Sequence, residues 1–147
     1  MKAVNKVVNK AEISFPSNSV NEGFARASVS LFLAQLDPTV PDLTDMKTAV
    51  SEAVTNAIVH GYRDKIGTVY ITVKIFEDGK AVVKIRDRGC GIPDIKQAME
   101  PLFTTGGDER AGLGFAVMQS FCDQIRVTSA PDRGTSVTLT KLFEKKE

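Results

Sequence analysis

V-S-E-A-V-T-N-A-I-V-H-G, residues 50–61, carries two patterns on one helix. Ala49, Val50, Ala53, Val54, Ala57 and Ile58 recur at helical spacing and form an apolar stripe. Glu52, Asn56 and His60 fall four apart, so on a helix they stack along a single polar face. Asn is a mediocre helix former, because its amide competes with the backbone for hydrogen bonds, so propensity does not explain it here. One reading is chemical: a carboxylate that can accept a proton stands one turn before an amide oxygen that can ligate a hard cation such as Mg²⁺. The other is a capped helix facing solvent.

Working outward, residues 41–44 (P-D-L-T) read as the entry to this helix and His60-Gly61 as its stop. Before it, residues 20–36 read as a helix stopped by Asp37-Pro38, with Phe24, Ala27, Ser28, Leu31 and Ala34 as the inward stripe. Val29, Phe32 and Leu33 make a second apolar set, which suits either a homodimer contact or a deep-core helix. Residues 11–15 alternate as a first strand that Pro16 ends, and residues 1–10 are expected to be disordered.

After the central helix, Val69, Ile71, Val73 and Ile75 alternate with Tyr70, Thr72, Lys74 and Phe76, and Ala81, Val83 and Ile85 alternate on the return from Asp78-Gly79. This is an antiparallel hairpin. It runs into Asp87-Arg88-Gly89-Cys90-Gly91, a D-x-G-x-G at a strand end. Glycines let backbone approach a flat ligand, and the Asp carboxylate can accept from an exocyclic amine; a tight surface turn is the alternative. Residues 95–100 read as a short helix, and residues 101–110 as a Thr- and Gly-rich loop over a site or a plain surface loop. Ala111-Gly112-Leu113-Gly114-Phe115 then reads as a glycine turn opening an apolar helix, where backbone N–H groups can bind an anion. A last hairpin pairs Ile125, Val127 and Ser129 with Thr135, Val137, Leu139 and Lys141 across Asp132-Arg133-Gly134. Helix, helix, hairpin, helix, hairpin predicts an α+β fold: a two-layer sandwich with helices on one face of a mostly antiparallel sheet.

Composition narrows the function classes. At 147 residues the chain fits one domain, and 42% hydrophobic with 25% charged residues is ordinary for a soluble globular protein. Neither a membrane span nor a signal peptide is legible, which places the protein in the cytoplasm. Cys90 and Cys122 are the only cysteines and lack metal-site spacing. A net charge of +1 with mixed signs gives no basic stripe, so direct DNA binding is not expected.

The order of the motifs, from E-x-x-x-N through D-x-G-x-G, the Thr/Gly loop and G-x-G to Gly134-Thr135, resembles the Bergerat ATP-binding fold of the GHKL superfamily. No Walker A sequence occurs anywhere in the chain. S-E-A-V-T-N-A-I-V-H-G-Y (51–62), P-L-F-T-T (101–105) and E-G-F-A-R-A-S-V (22–29) resemble, more closely, the sporulation anti-sigma-F family of small serine protein kinases. That resemblance implies ATP or ADP with Mg²⁺ as ligands, and as partners a sigma factor (sigma-F), an anti-anti-sigma factor phosphorylated on serine, and a second copy of the chain. By position, it implies Asn56 on the Mg²⁺, Glu52 as general base, and Asp87 on the adenine amine with Thr135 in support. Gly89 and Gly91 would shape the purine pocket. Thr104, Thr105 and Arg110 would belong to a phosphate lid, and Gly112, Gly114 and Phe115 would offer amides to the phosphates. Arg26 would meet both protein partners. The chain departs from the family pattern at Gly106-Gly107, where a Lys-Pro pair is common. A related kinase for a general stress sigma factor, and a nucleotide-gated binding module without transfer, are the competing readings.

Overall fold

The computed structural model describes residues 5–92 and 109–143, with 109–113 described as backbone. Five strands form one sheet in the order β1-β2-β3-β5-β4, every neighbouring pair antiparallel. The strands are β1 (Val7–Pro16), β2 (Thr68–Phe76), β3 (Lys80–Asp87), β4 (Gln124–Ala130) and β5 (Gly134–Leu142). Among the described residues three α-helices, α1 (Asn21–Leu33), α2 (Val40–Asn56) and α3 (Glu109–Phe121), complete the α+β arrangement.

The two hairpins fall where period-two alternation places them. Val69, Ile71, Val73 and Ile75 of β2 and Ala81, Val83 and Ile85 of β3 are buried, and their alternate neighbours are not. The buried set meets Met46, Ala49, Val50, Ala53 and Val54 of α2, so the apolar stripe of the central helix covers the middle of the sheet. At the start of α2, the Thr39 hydroxyl accepts the Asp42 N–H at 3.3 Å, with Pro41 in the first turn where its missing N–H costs nothing.

Two expectations need correcting. Val7–Lys10 are not disordered: β1 begins at Val7 and pairs with β2 as far as Phe76, through a bulge between Val7 and Asn9. Edge position explains the misleading sequence, since an outer strand carries Lys and Asn without a buried face to declare it. On α1 the inward face is Ala25, Val29 and Leu33, not the stripe containing Phe24 and Leu31, which are 52% and 77% exposed. Phe24 instead meets Phe15 of β1 edge-on, with ring centroids 6.1 Å apart. With two apolar stripes on one helix, periodicity alone does not say which one faces the core. The short helix expected at 95–100 lies outside the described residues.

Candidate functional site

Helix α2 changes pitch just after Asn56. Ala57–Gly61 form a π turn, closed by the Tyr62 N–H bonding to the Ala57 carbonyl at 3.1 Å. The wider turn brings His60 and Gly61 against the end of β3. There Cys90 N–H donates to the Gly61 carbonyl at 2.9 Å, and the Cys90 thiol to the His60 carbonyl at 3.2 Å. A Cβ on Gly89 would lie 1.9 Å from the Gly61 oxygen, so only glycine permits this backbone contact. Gly91 has φ +78°, and its Cβ would lie 2.3 Å from the Ala130 oxygen. The D-x-G-x-G segment is therefore a seam joining helix, sheet and the β4–β5 turn.

Asp87 is the acid of that seam. It is 5% exposed, its Oδ1 accepts the Gly89 N–H at 2.9 Å, and it stands opposite Thr135 in the β3–β5 ladder. Burial pushes its carboxyl above the usual carboxylate range, opposed by backbone N–H groups of Gly89 and Thr135. The Ser129 hydroxyl accepts from Ile92 N–H at 2.7 Å and lies 2.9 Å from the Thr135 hydroxyl and 3.1 Å from the Gly134 carbonyl. Tyr62 accepts from Arg88 N–H at 2.6 Å and donates to the Thr68 carbonyl at 2.7 Å.

The other end of the site is built on the same helix. Glu52 and Asn56 face Gly114 of α3: a Cβ there would lie 3.1 Å from Glu52 Oε2 and 3.3 Å from Asn56 Nδ2. Among the described residues Asn56 Nδ2 is buried without a hydrogen-bond partner. An orphaned amide N–H costs about 1–3 kcal/mol, so packing alone does not account for its place on this face. Gly112 and Gly114 do not precede the helix as expected; α3 begins at Glu109, so both lie in its first two turns. The reason is that glycine, though costly in a helix, lets α3 approach the Glu52–Asn56 face without a side chain between them. Phe115, next to Gly114, is buried in the core. Arg110 and Gly112 lie on the α3 backbone, and Thr104 and Thr105 lie outside the described residues.

Arg26 stands apart. It is on the outer side of α1, 3.7 Å from Glu22, whose carboxylate accepts from the Ser51 hydroxyl beside Glu52. The structure thus brings Glu52, Asn56 and Gly114 together at one end of the π turn, and Asp87, Gly89, Gly91 and Thr135 at the other. Sequence reasoning passed over Gly61, Tyr62 and Ser129, which brace that second group. The signal for Gly61 was available: a Cβ there would lie 2.8 Å from Asp87 Cγ, and a helix-ending glycine commonly marks a close approach as well as a stop.

Residues 15–141 match the family described as "Histidine kinase-like ATPase domain". An "Anti-sigma F factor" of Thermoanaerobacter sp. (strain X514) is 55% identical over 135 residues, covering 90% of this chain and 93% of that protein. The chain belongs to the anti-sigma F factor family. A second member of this anti-sigma F family, from Bacillus subtilis (strain 168), is 49% identical over 139 residues, covering 93% of this chain and 94% of its own. Among solved structures, the RsbU and RsbW domains of Rv1364c from Mycobacterium tuberculosis give a TM-score of 0.71 at 21% identity, covering 95% of this chain and 34% of that one. Full-length ShkA in complex with AMPPNP gives 0.60 at 17% identity, covering 99% and 32%. At these identities the structural likeness speaks for the GHKL fold alone. Among the described residues no helix is long and apolar enough to cross a membrane.

Proposed function

We propose that this chain binds ATP with Mg²⁺, transfers the terminal phosphoryl group to a serine of a small anti-anti-sigma protein, and holds a sporulation sigma factor, sigma-F, inactive until that protein engages it. The observation that carries the reading is the buried Asn56 amide, unpartnered beside Glu52 and against Gly114, on the helix that also reaches Asp87. The names of relatives aligned over nine-tenths of the chain favour sigma-F over a general stress sigma factor.

The donor set fits these ligands. Asn56 Oδ1 would be the protein ligand of a Mg²⁺ bound chiefly through phosphates, which leaves the unpartnered Nδ2 to donate to a phosphate oxygen. When bound, the cation neutralises charge on the triphosphate. Asp87 would accept the adenine amine's hydrogen bond, with Thr135 in support and Gly89 and Gly91 keeping side chains out of the purine's path. Arg110, Thr104 and Thr105 would close over the phosphates, and Gly112, Gly114 and Phe115 would present backbone N–H groups. In the transfer step the serine oxygen bonds to the γ-phosphorus as the bond to the β-bridging oxygen breaks, ADP leaves, and Glu52 takes the serine proton. Arg26, exposed on α1, would contact the sigma factor and the anti-anti-sigma protein, and the exposed Val20, Phe24 and Leu31 offer an apolar stripe for a homodimer.

The test is Glu52→Gln, mixed with γ-labelled ATP and the anti-anti-sigma protein. Loss of transfer with nucleotide binding retained is the expected result. Transfer at the parent rate would remove Glu52 from the role of base, and a chain that binds nucleotide but never transfers would be a nucleotide-gated binding module.

A further inference from the structure

The outward face of the sheet bears charges for which the kinase reading has no use. Alternation directs Lys74, Lys80, Lys84, Arg86 and Arg126 away from the helices, and Arg88 lies on the same side, 5.1 Å over the Tyr70 ring. Strand register aligns one row across all five strands: Glu12, Thr72, Lys84, Thr138 and Arg126. The outward positions of β2, β3, β4 and β5 hold no acidic residue. Among the described residues none of these six cations enters an ion pair. Like charges gathered on one sheet face oppose folding, so stability does not account for them. A net charge of +1 conceals the arrangement, because Glu22, Asp42, Asp45 and Glu52 stand on the helical layer.

The chemistry of the face selects its partner. A cation already lies over each aromatic ring of this face, Arg88 over Tyr70 at 5.1 Å and Lys80 over Phe76 at 4.5 Å, which leaves at most one side of either ring for base stacking. A five-stranded sheet spans about 19 Å between its outer strands, too broad for a DNA major groove of about 12 Å. We propose that the open sheet face docks an acidic protein surface, one that presents Asp and Glu side chains along a helix or strand. Because this face lies across the sheet from Glu52 and Asn56, such a partner binds without covering them. The inference stands whether or not the chain transfers phosphate.

The probe is a fluorescently labelled peptide of alternating Glu and Ala, followed by anisotropy over a range of salt concentrations, beside single-stranded and duplex oligonucleotides of matched charge. The peptide is expected to bind more weakly as salt rises, and the combined Lys84→Glu, Arg86→Glu, Arg126→Glu variant to weaken it by at least about tenfold. ATP affinity of that variant should stay within about twofold of the parent, and the matching Gln variant should give an intermediate loss at a melting temperature no lower than the parent's, since it relieves like-charge repulsion. Absence of peptide binding, equal binding by the Glu variant, or tighter binding of either oligonucleotide than of the peptide would overturn the proposal.

Discussion

The two ends of the α2 site are built on opposite principles. At the Asp87 end nearly every polar group is spoken for: backbone meets backbone at Gly61 and Cys90, Asp87 accepts from Gly89, and Ser129 ties Ile92, Gly134 and Thr135 together. At the Glu52 end the Asn56 Nδ2 is buried and, among the described residues, unpartnered, and glycine stands where a side chain would fill the space. A braced corner suits a rigid ring whose shape does not change during reaction. An end with an unmet polar group suits a charged ligand that supplies the missing partner on arrival.

This difference can be broken from either side, and the largest effect belongs to the open end. Glu52→Gln should lower phosphoryl transfer by roughly 10²- to 10⁴-fold, the usual worth of a positioned base, while nucleotide affinity holds. Single-turnover transfer with the anti-anti-sigma protein measures it. At the braced end, Asp87→Asn should weaken ATP binding by about 1.5–3 kcal/mol, read by titration calorimetry.

The same substitution should leave the fold no less stable, because it removes a carboxylate that burial disfavours. The pH dependence gives the sign. With its folded pKa raised, Asp87 contributes stability that is full below the ordinary carboxylate range and lost as pH rises through the raised value. Thermal melts across that window should show the decline in the parent and its absence in Asp87→Asn; an identical decline in both would assign it to other carboxylates.

Gly91→Ala tests the bracing directly. It places a Cβ 2.3 Å from the Ala130 oxygen at a positive φ and should cost about 1–3 kcal/mol of stability in a denaturant melt. The smallest effect on nucleotide binding is expected for Arg26→Glu, which should alter ATP affinity by less than about 0.5 kcal/mol while binding of sigma factor and anti-anti-sigma protein falls. Equal loss of nucleotide and partners would make Arg26 structural.

Much of this was legible in the chain because periodicity is a direct report of burial. Both hairpins, the α2 stripe and the order of elements follow from residues that alternate or recur with their covering layer. The inward face of α1 was not legible, since Phe24 and Leu31, seven apart, are as compatible with one helix face as Ala25, Val29 and Leu33, four apart, and only the fold decides between them. The π turn left no composition signal, because a change from four to five residues in hydrogen-bond reach is set by where His60 and Gly61 must dock. The basic sheet face escaped because composition sums charges that the fold separates.

The measurement that bears most directly on a shared nucleotide pocket is calorimetric titration of ATP with Mg²⁺ into the intact chain. One nucleotide bound per chain, with affinity reduced in Asp87→Asn, is the expected result. No heat of binding from the folded chain in the presence of magnesium would contradict it.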